Sequence, residues 1–191
     1  MFDKEKLEGA DIGIDFCGYH LQSPYILSSG PLTYGSEGMI RGYKAGCGAV
    51  VTKTIRKEAA INPVHHMGTV NQDSLINCEK WADSDRQQWY DKEIPEAVKA
   101  GVIVIASVGH TLGEAKEIVE EVEKAGAHMI ELVSYTEDTL IPMLDYTKAH
   151  VKIPVICKLS GNWPDPVGNS KSFAWNTVQT GYVQLILSDQ H

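Results

Sequence analysis

The sequence lacks the long apolar runs that would place a protein in a membrane. No stretch approaches the roughly 18 to 20 apolar residues that a spanning helix needs, and residues 1–11 are charged, unlike a secretory signal. None of the four cysteines forms a C-x-x-C pair, and the adjacent His65 and His66 lack a third ligand. We therefore expect a cytoplasmic protein with free thiols and no metal site.

The sequence also lacks an excess of basic residues. Lysine and arginine number 17 against 25 aspartates and glutamates, which gives a formal net charge of −8. A general nucleic-acid-binding protein would carry a basic stripe, whereas a local cationic site for a small ligand can lie inside an acidic protein. We expect a small-molecule substrate as the partner, with neither nucleic acid nor membrane, and a homo-oligomer for the full-length form.

Most of the chain alternates short β-branched runs with helical patterns. Because these runs are apolar almost throughout, both faces of each strand should be covered, as in a parallel α/β sheet. Thr111 and Glu114 form a capping box at the start of one helix, which ends at Gly126. The predicted strands are residues 25–30, 48–54, 102–109, 128–134 and 154–160. The other predicted helices are 36–46, with Ser36 as a candidate N-cap, 85–101, which Pro95 should kink or restart, and 136–150.

Two arrangements suit such strands, an open doubly wound sheet and a (β/α)8 barrel. The Rossmann fingerprint G-x-G-x-x-G is absent after every predicted strand. Residues 11–16 and 19–22 read as short strands around Cys17 and Gly18, and such a hairpin would close the bottom of a barrel. We therefore predict, for residues 1–167, a partial TIM (β/α)8 barrel of about five βα units with an N-terminal hairpin.

Residues 168–191 differ in character from the rest of the chain. Serine, asparagine and threonine oppose the amphipathic helix expected there, and we predict no sixth strand. If the codons for residues 174–191 are read in a shifted frame, they can encode the helix end, glycine turn and strand that a barrel needs next. We interpret this segment as a non-native tail, hypothesise a frameshift in a longer gene, and expect the fragment to associate, to bind a cofactor poorly and to be inactive.

Active sites of such barrels lie at the carboxyl ends of the strands. Lys53 and Lys158 fall at the ends of the second and fifth predicted strands, and therefore at the same mouth. A lysine is costly to bury unpaired, so each one pairs with a carboxylate or faces a ligand. Two lysines at matching strand ends favour an anionic or electron-rich ligand.

Five motifs in order carry a resemblance to a known family: PYILSSGP, GYKAGCGAVVTKT, VIASVG, AGAHMIELVS and PVICKLS. Together they resemble the dihydroorotate dehydrogenase family, and the catalytic part of dihydropyrimidine dehydrogenase is similar. The resemblance extends over about residues 12–165. It implies an FMN-dependent barrel oxidoreductase that acts on a CH–CH bond of a dihydropyrimidine, in pyrimidine biosynthesis.

The resemblance also implies roles for residues at the strand ends. Lys158 matches a lysine at the N1/O2 edge of the flavin, where a cation stabilises the reduced cofactor. Lys53 matches a catalytic lysine near both flavin and substrate. Asn77, in SLINCEKW, matches an asparagine that hydrogen-bonds the substrate. The other implied cofactor contacts are Ser29, Gly30 and Thr54.

The sequence departs from the family pattern after the fourth strand. Where the family usually reads ELNLSCPN, this chain reads ELVSYTED. The flavin-binding asparagine therefore aligns with Val133 and the general base with Thr136. Ser134 and Thr136 are the candidate catalytic hydroxyls, although Thr136 suits a helix N-cap better. The segment after Asn77 is also altered, which leaves the substrate open.

Two other functions compete with the flavin hypothesis. A Schiff-base aldolase-type barrel would use Lys158 or Lys53 as an amine nucleophile. A non-catalytic truncated fragment would only associate through exposed barrel edges.

Overall fold

The computed structural model describes residues 10–160 and 185–188. The strands are β1 (Ile14–Phe16), β2 (Tyr19–Leu21), β3 (Ile26–Leu27), β4 (Ala49–Val51), β5 (Met67–Thr69), β6 (Leu75–Asn77), β7 (Val104–Gly109), β8 (Met129–Val133), β9 (Val155–Ser160) and β10 (Leu185–Ser188). The helices are α1 (Ser36–Lys44), α2 (Arg86–Gln88), α3 (Ile94–Lys99), α4 (Leu112–Lys124) and α5 (Glu137–His150).

A single parallel sheet organises the described chain. Its strand order is β10-β9-β8-β7-β4-β3, and every neighbouring pair is parallel. Each strand therefore adds beside the previous one in chain order, whereas a doubly wound sheet reverses its order at a switch point. This topology is a curled part of a barrel wall, and it confirms the predicted partial (β/α)8 fold.

The sheet is apolar on both faces, as the continuous apolar runs predicted. Its outer face packs against α4 and the other helices, where the buried core includes Val104, Ala106, Ile118, Val122 and Ile130. Its inner face carries a second, smaller cluster, to which alternate strand residues contribute because side chains alternate between faces. That cluster consists of Leu21, Ala49, Val51, Ile105, Met129 and Ile156.

The predicted N-terminal hairpin is confirmed and lies against the inner face. β1 and β2 pair antiparallel around a two-residue turn, Cys17 and Gly18, with φ of 50° and 84°. Two successive left-handed residues define the turn type that matches the twist of a hairpin. Leu21 is fully buried in the inner cluster, so the hairpin covers the amino-terminal end of the barrel interior.

The ends of the helices follow the sequence signals in most places. The Thr111 hydroxyl accepts the Glu114 amide at 3.3 Å, which confirms the N-cap of α4, and Gly126 ends the helix with φ of 100°. The prediction of Ser36 as an N-cap is wrong, because the cap is Gly35. The Ser36 amide instead donates to the Glu93 carboxylate, 57 residues away.

Three segments differ from the predictions. The irregular stretch after β4 contains an antiparallel hairpin of β5 and β6. The helix predicted over residues 85–101 is divided by a π-helical turn, Trp89–Glu93. α3 then starts with Pro95 in its first turn, which is the restart that was one of the two expectations for this proline. β10 pairs in parallel with β9, so the prediction that the tail lacks a sixth strand is wrong. The remaining tail residues, 168–184 and 189–191, lie outside the described residues.

Within the described ranges, no helix has the length and apolarity that crossing a bilayer requires.

Candidate active site

A cavity of about 360 Å³ opens at the carboxyl ends of the parallel strands. This volume lies in the range of small-molecule pockets, roughly 300 to 1,000 Å³. The ends of β3, β4, β7, β8 and β9 all contribute to its wall, and the segment after β6 closes one side. The structure therefore brings six predicted site residues together in one lining: Ser29, Gly30, Lys53, Thr54, Asn77 and Lys158.

The inner face of the sheet changes from apolar to polar on approaching the cavity. Ile105 and Met129 belong to the apolar inner cluster. Two residues further along the same strands, on the same face, stand Ser107 and Glu131, both buried. This change in polarity makes the cavity floor a layer of hydrogen-bonding groups.

Lys53 is nearly buried and paired with a carboxylate. Its Nζ lies 2.5 Å from Oε2 of Glu79, and both side chains are only 8% exposed. The other Glu79 oxygen lies 3.6 Å from Nε2 of His66. The pairing offsets the cost of burying the lysine. Glu79 was missed in the sequence because it lies in the segment that had no recognisable pattern.

Lys158 is also paired, but more loosely. Its Nζ lies 3.9 Å from Oε1 of Glu131, and the two side chains are 13% and 4% exposed. Burial raises the pKa of Glu131, while Lys158 and the Ser107 hydroxyl act in the opposite direction. A sequence signal for Glu131 existed, since it is an acidic residue inside the otherwise apolar strand MIELV.

Hydroxyl groups connect the strand ends beneath the cavity. Ser29 and Thr54 hydroxyl oxygens lie 3.4 Å apart, and Thr54 and Ser107 hydroxyl oxygens 3.1 Å apart. Ser107 donates to Glu131 at 3.0 Å, while its amide donates to the Thr52 hydroxyl. A continuous polar chain thus runs across β3, β4, β7 and β8, from the rim to the buried acid.

His110 and Tyr135 form an aromatic wall that the sequence analysis missed. They follow β7 and β8, and their rings stack with centroids 4.8 Å apart and planes 12° apart. The pKa of His110 is lowered to about 4, mainly by burial and also by the charge of Arg56, while Glu114 opposes the shift. The imidazole is therefore neutral at pH 7. Its Nδ1 is buried and has no hydrogen-bond partner among the described residues.

The two candidate catalytic hydroxyls lie outside the cavity lining. Ser134 is buried, and its hydroxyl donates to the His110 carbonyl at 3.3 Å and contacts the Thr139 hydroxyl. Thr136 occupies the N-cap position of α5 as predicted, although its side chain caps no backbone amide. Its hydroxyl lies 2.9 Å from that of Thr139. Both hydroxyls take part in hydrogen bonds around the start of α5, and neither belongs to the cavity lining.

The segment after β6 supplies the remaining wall. The Asn77 side-chain oxygen accepts the Glu79 amide at 2.8 Å. Trp81 donates its indole N–H to the Glu58 carbonyl at 2.9 Å, and the Arg56 guanidinium lies 4.3 Å from its ring centre. These contacts hold the Trp81 indole and the Glu79 carboxylate in the same lining as Lys53 and Lys158.

In the part of the chain that the structure describes, no group of three or more His, Cys, Asp or Glu is arranged to hold a metal ion.

Comparisons with known proteins agree with this architecture. No protein-family model matches the sequence. The chain is 26% identical over 177 residues to the dihydroorotate dehydrogenase B (NAD(+)) catalytic subunit of Thermoplasma acidophilum, a match covering 85% of this chain and 59% of that protein.

Solved structures resemble this chain at the level of the fold. An IMP dehydrogenase/GMP reductase-like protein from Corynebacterium glutamicum has a TM-score of 0.54 and 12% identity, over 96% of this chain and 62% of that one. Phosphonopyruvate hydrolase in complex with oxalate and Mg²⁺ has a TM-score of 0.53 and 18% identity, over 90% and 56%. The chain thus spans about three fifths of the proteins it matches. It is a partial (β/α)8 barrel similar to barrel enzymes.

Proposed function

We propose that this chain is the N-terminal part of an FMN-dependent oxidoreductase acting on a CH–CH bond of a dihydropyrimidine ring. One observation carries the proposal: Lys53 and Lys158 line the same cavity, at the carboxyl ends of parallel strands. The sequence similarity to a dihydroorotate dehydrogenase catalytic subunit supports it.

The groups around the cavity suit a flavin ring. Lys158 supplies a cation at one wall, Ser29 and Thr54 supply hydroxyls, and Tyr135 supplies an aromatic face. FMN held by these residues would supply a hydride acceptor for a substrate carbon. The Lys158 ammonium would stabilise the negative charge of the reduced cofactor, and its own charge is kept in place by Glu131.

We assign substrate binding to Lys53 and Asn77, which line the same cavity as Lys158. A ring oxidised across two carbons must also lose a proton. Because Ser134 and Thr136 lie outside the lining, we assign proton acceptance to the imidazole of His110, which does line the cavity.

The aldolase alternative is less well supported. A Schiff base needs a free amine nucleophile, whereas the Nζ atoms of both cavity lysines lie beside buried carboxylates in ion pairs.

FMN binding tests the proposal directly. FMN is titrated into the 191-residue chain while flavin fluorescence is followed, with Lys158→Met as the variant and Lys152→Met, an exposed lysine before β9, as the control. We expect weak but saturable binding that the first variant reduces about tenfold and the control leaves unchanged. The absence of saturable binding, or equal losses in the two variants, would overturn the proposal.

A further inference from the structure

Glu131 is a titratable group that lies beneath the cavity. Its side chain is only 4% exposed and does not belong to the cavity lining. Two polar groups contact it, the Ser107 hydroxyl at 3.0 Å and the Lys158 ammonium at 3.9 Å. A buried carboxylate is costly unless it is paired and hydrogen-bonded. The charge of Glu131 therefore depends on these two contacts.

Three hydroxyl groups, those of Ser29, Thr54 and Ser107, join Glu131 to the cavity and are called the hydroxyl chain here. Ser107 donates its one hydroxyl proton to Glu131, so in its 3.1 Å contact with Thr54 it must accept. For the same reason, Thr54 accepts from Ser29 across 3.4 Å. Because Ser29 and Thr54 both line the cavity, all the donors of the chain point from the cavity towards the acid.

A proton can pass along the hydroxyl chain without changing the charge of any hydroxyl. Each oxygen breaks its own O–H bond as it forms a new one with the incoming proton. A proton that enters from the cavity at Ser29 thus displaces one proton at Thr54 and one at Ser107. The last proton forms an O–H bond with Glu131, and the carboxylate becomes a neutral carboxylic acid.

The charges around Glu131 decide when it takes up this proton. Burial raises the pKa of Glu131, while the Lys158 ammonium on β9 and the Ser107 hydroxyl on β7 act in the opposite direction. The other cavity cation, Lys53, is paired with Glu79. A negative charge placed beside Lys158 would cancel the cation that stabilises the carboxylate, and in a buried site this favours the protonated form.

We infer that Glu131 is an internal proton acceptor, which takes up one proton through the hydroxyl chain when a negative charge arrives beside Lys158. The inference rests on the proposed function, in which that charge belongs to the reduced flavin. Its role differs from that of His110, which lines the cavity and accepts the substrate proton. Glu131 compensates the charge of the reduced cofactor from below the lining.

Infrared spectroscopy of the ligand-free 191-residue chain tests the proton acceptor, because a protonated carboxyl group has its own carbonyl band. Difference spectra against Glu131→Gln, recorded over a range of pH, isolate this residue. Lys158→Met imitates the arriving charge by removing the cation, and it should raise the proton-binding constant of Glu131 about tenfold. Lys152→Met, an exposed lysine before β9, should leave the constant unchanged. Glu131→Asp should shift the band rather than remove it, which assigns the band even if Glu131→Gln fails to fold.

The hydroxyl chain is tested by the rate at which the Glu131 proton exchanges with deuterium. Thr54→Val removes the middle hydroxyl and leaves both contacts of Glu131 in place, so exchange of the carboxyl proton in D₂O should slow about tenfold. Thr147→Val is the matched control, since this buried hydroxyl donates to the Met143 carbonyl within α5. Exchange in the control should equal that of the wild type.

Reduction of the FMN complex with dithionite tests the coupling to the cofactor. The reduced-minus-oxidised infrared spectrum should gain the Glu131 carboxyl band. An unchanged proton-binding constant in Lys158→Met, equal exchange in the wild type and Thr54→Val, or reduction without the band would each overturn the inference. Failure to bind FMN would instead overturn the proposed function, because the pH titration and the exchange measurement use no cofactor.

Discussion

Lys158 and Glu131 lie on neighbouring strands, with Nζ and Oε1 3.9 Å apart. In the sheet register Lys158 pairs with Val133, two residues beyond Glu131, so both charged side chains stand on the inner face. The separation exceeds that of a direct charge-assisted hydrogen bond, and Glu131 accepts its hydrogen bond from Ser107 instead. A cation at the cavity wall is thereby held beside a buried acid.

Breaking this pair should show coupling between the two residues. Lys158→Met leaves a buried carboxyl group without its cation, and we expect a loss of about 1 to 3 kcal/mol in the free energy of unfolding. The double variant Lys158→Met/Glu131→Gln should cost about 1 kcal/mol less than the sum of the single variants. Urea denaturation of the four proteins at pH 7 measures this. Strict additivity would show that the contact contributes nothing.

His110 should make stability dependent on pH in a defined window. Its pKa is about 4 in the folded chain against 6.5 for the free side chain, so the unfolded state binds more protons between these values. Stability is therefore full above about pH 6.5 and decreases as the pH falls towards 4, by about 1 to 3 kcal/mol.

The phenylalanine variant isolates that contribution. His110→Phe keeps a ring against Tyr135 but cannot be protonated, so its unfolding free energy should fall less than that of the wild type between pH 7 and pH 4.5. The quantity compared is the unfolding free energy of the wild type minus that of the variant, obtained from urea denaturation curves at each pH. A difference that stays constant with pH would contradict the shifted imidazole.

Two threonines at helix N-termini should differ in their contributions to stability. Thr111→Ala removes a side-chain cap from α4 and should cost about 1 kcal/mol. Thr136 occupies the equivalent position of α5, but its side chain caps no amide. Thr136→Ala should therefore lower the free energy of unfolding by less than about 0.5 kcal/mol. Thermal or urea unfolding of both variants makes the comparison, and equal losses would contradict the difference in capping.

The cysteines should react with an alkylating reagent in a fixed order. Cys78 is exposed, whereas Cys157 is buried and burial raises the pKa of its thiol to about 12. Because the thiolate is the reactive species, iodoacetamide should label Cys78 in the native protein and Cys157 only after unfolding. Peptide mass spectrometry over time follows both sites. Simultaneous labelling under native conditions would contradict the buried position of Cys157.

The strand ends show how far sequence reasoning reached. Lys53 and Lys158 could be assigned to one mouth because parallel strands in a barrel all end on the same side. The acidic partner Glu131 could also be recognised in the sequence, because it is a charged residue inside an otherwise apolar strand. Glu79 and Trp81 were not, because residues after β6 follow no periodic pattern and their positions depend on contacts such as the Trp81 indole donating to Glu58.

The two candidate hydroxyls show what a motif alignment leaves open. Ser134 and Thr136 align with the base position of a related family, but the alignment fixes only distance along the chain. Whether a side chain lines a cavity depends on local hydrogen bonds, and here both hydroxyls bond near Thr139. His110, which follows β7, does line the cavity, because β7 ends beside β8 in the sheet.

The sequence by itself determined the parallel sheet, the hairpin and the mouth at which two lysines meet. These features follow from periodicity, turn residues and strand direction, which act locally along the chain. Only the tertiary structure decided which carboxylates pair with the lysines, which ring faces the cavity and which hydroxyls are turned away from it. Such pairings join residues tens of positions apart, and they are set by burial and hydrogen bonding that exist only once the strands are packed.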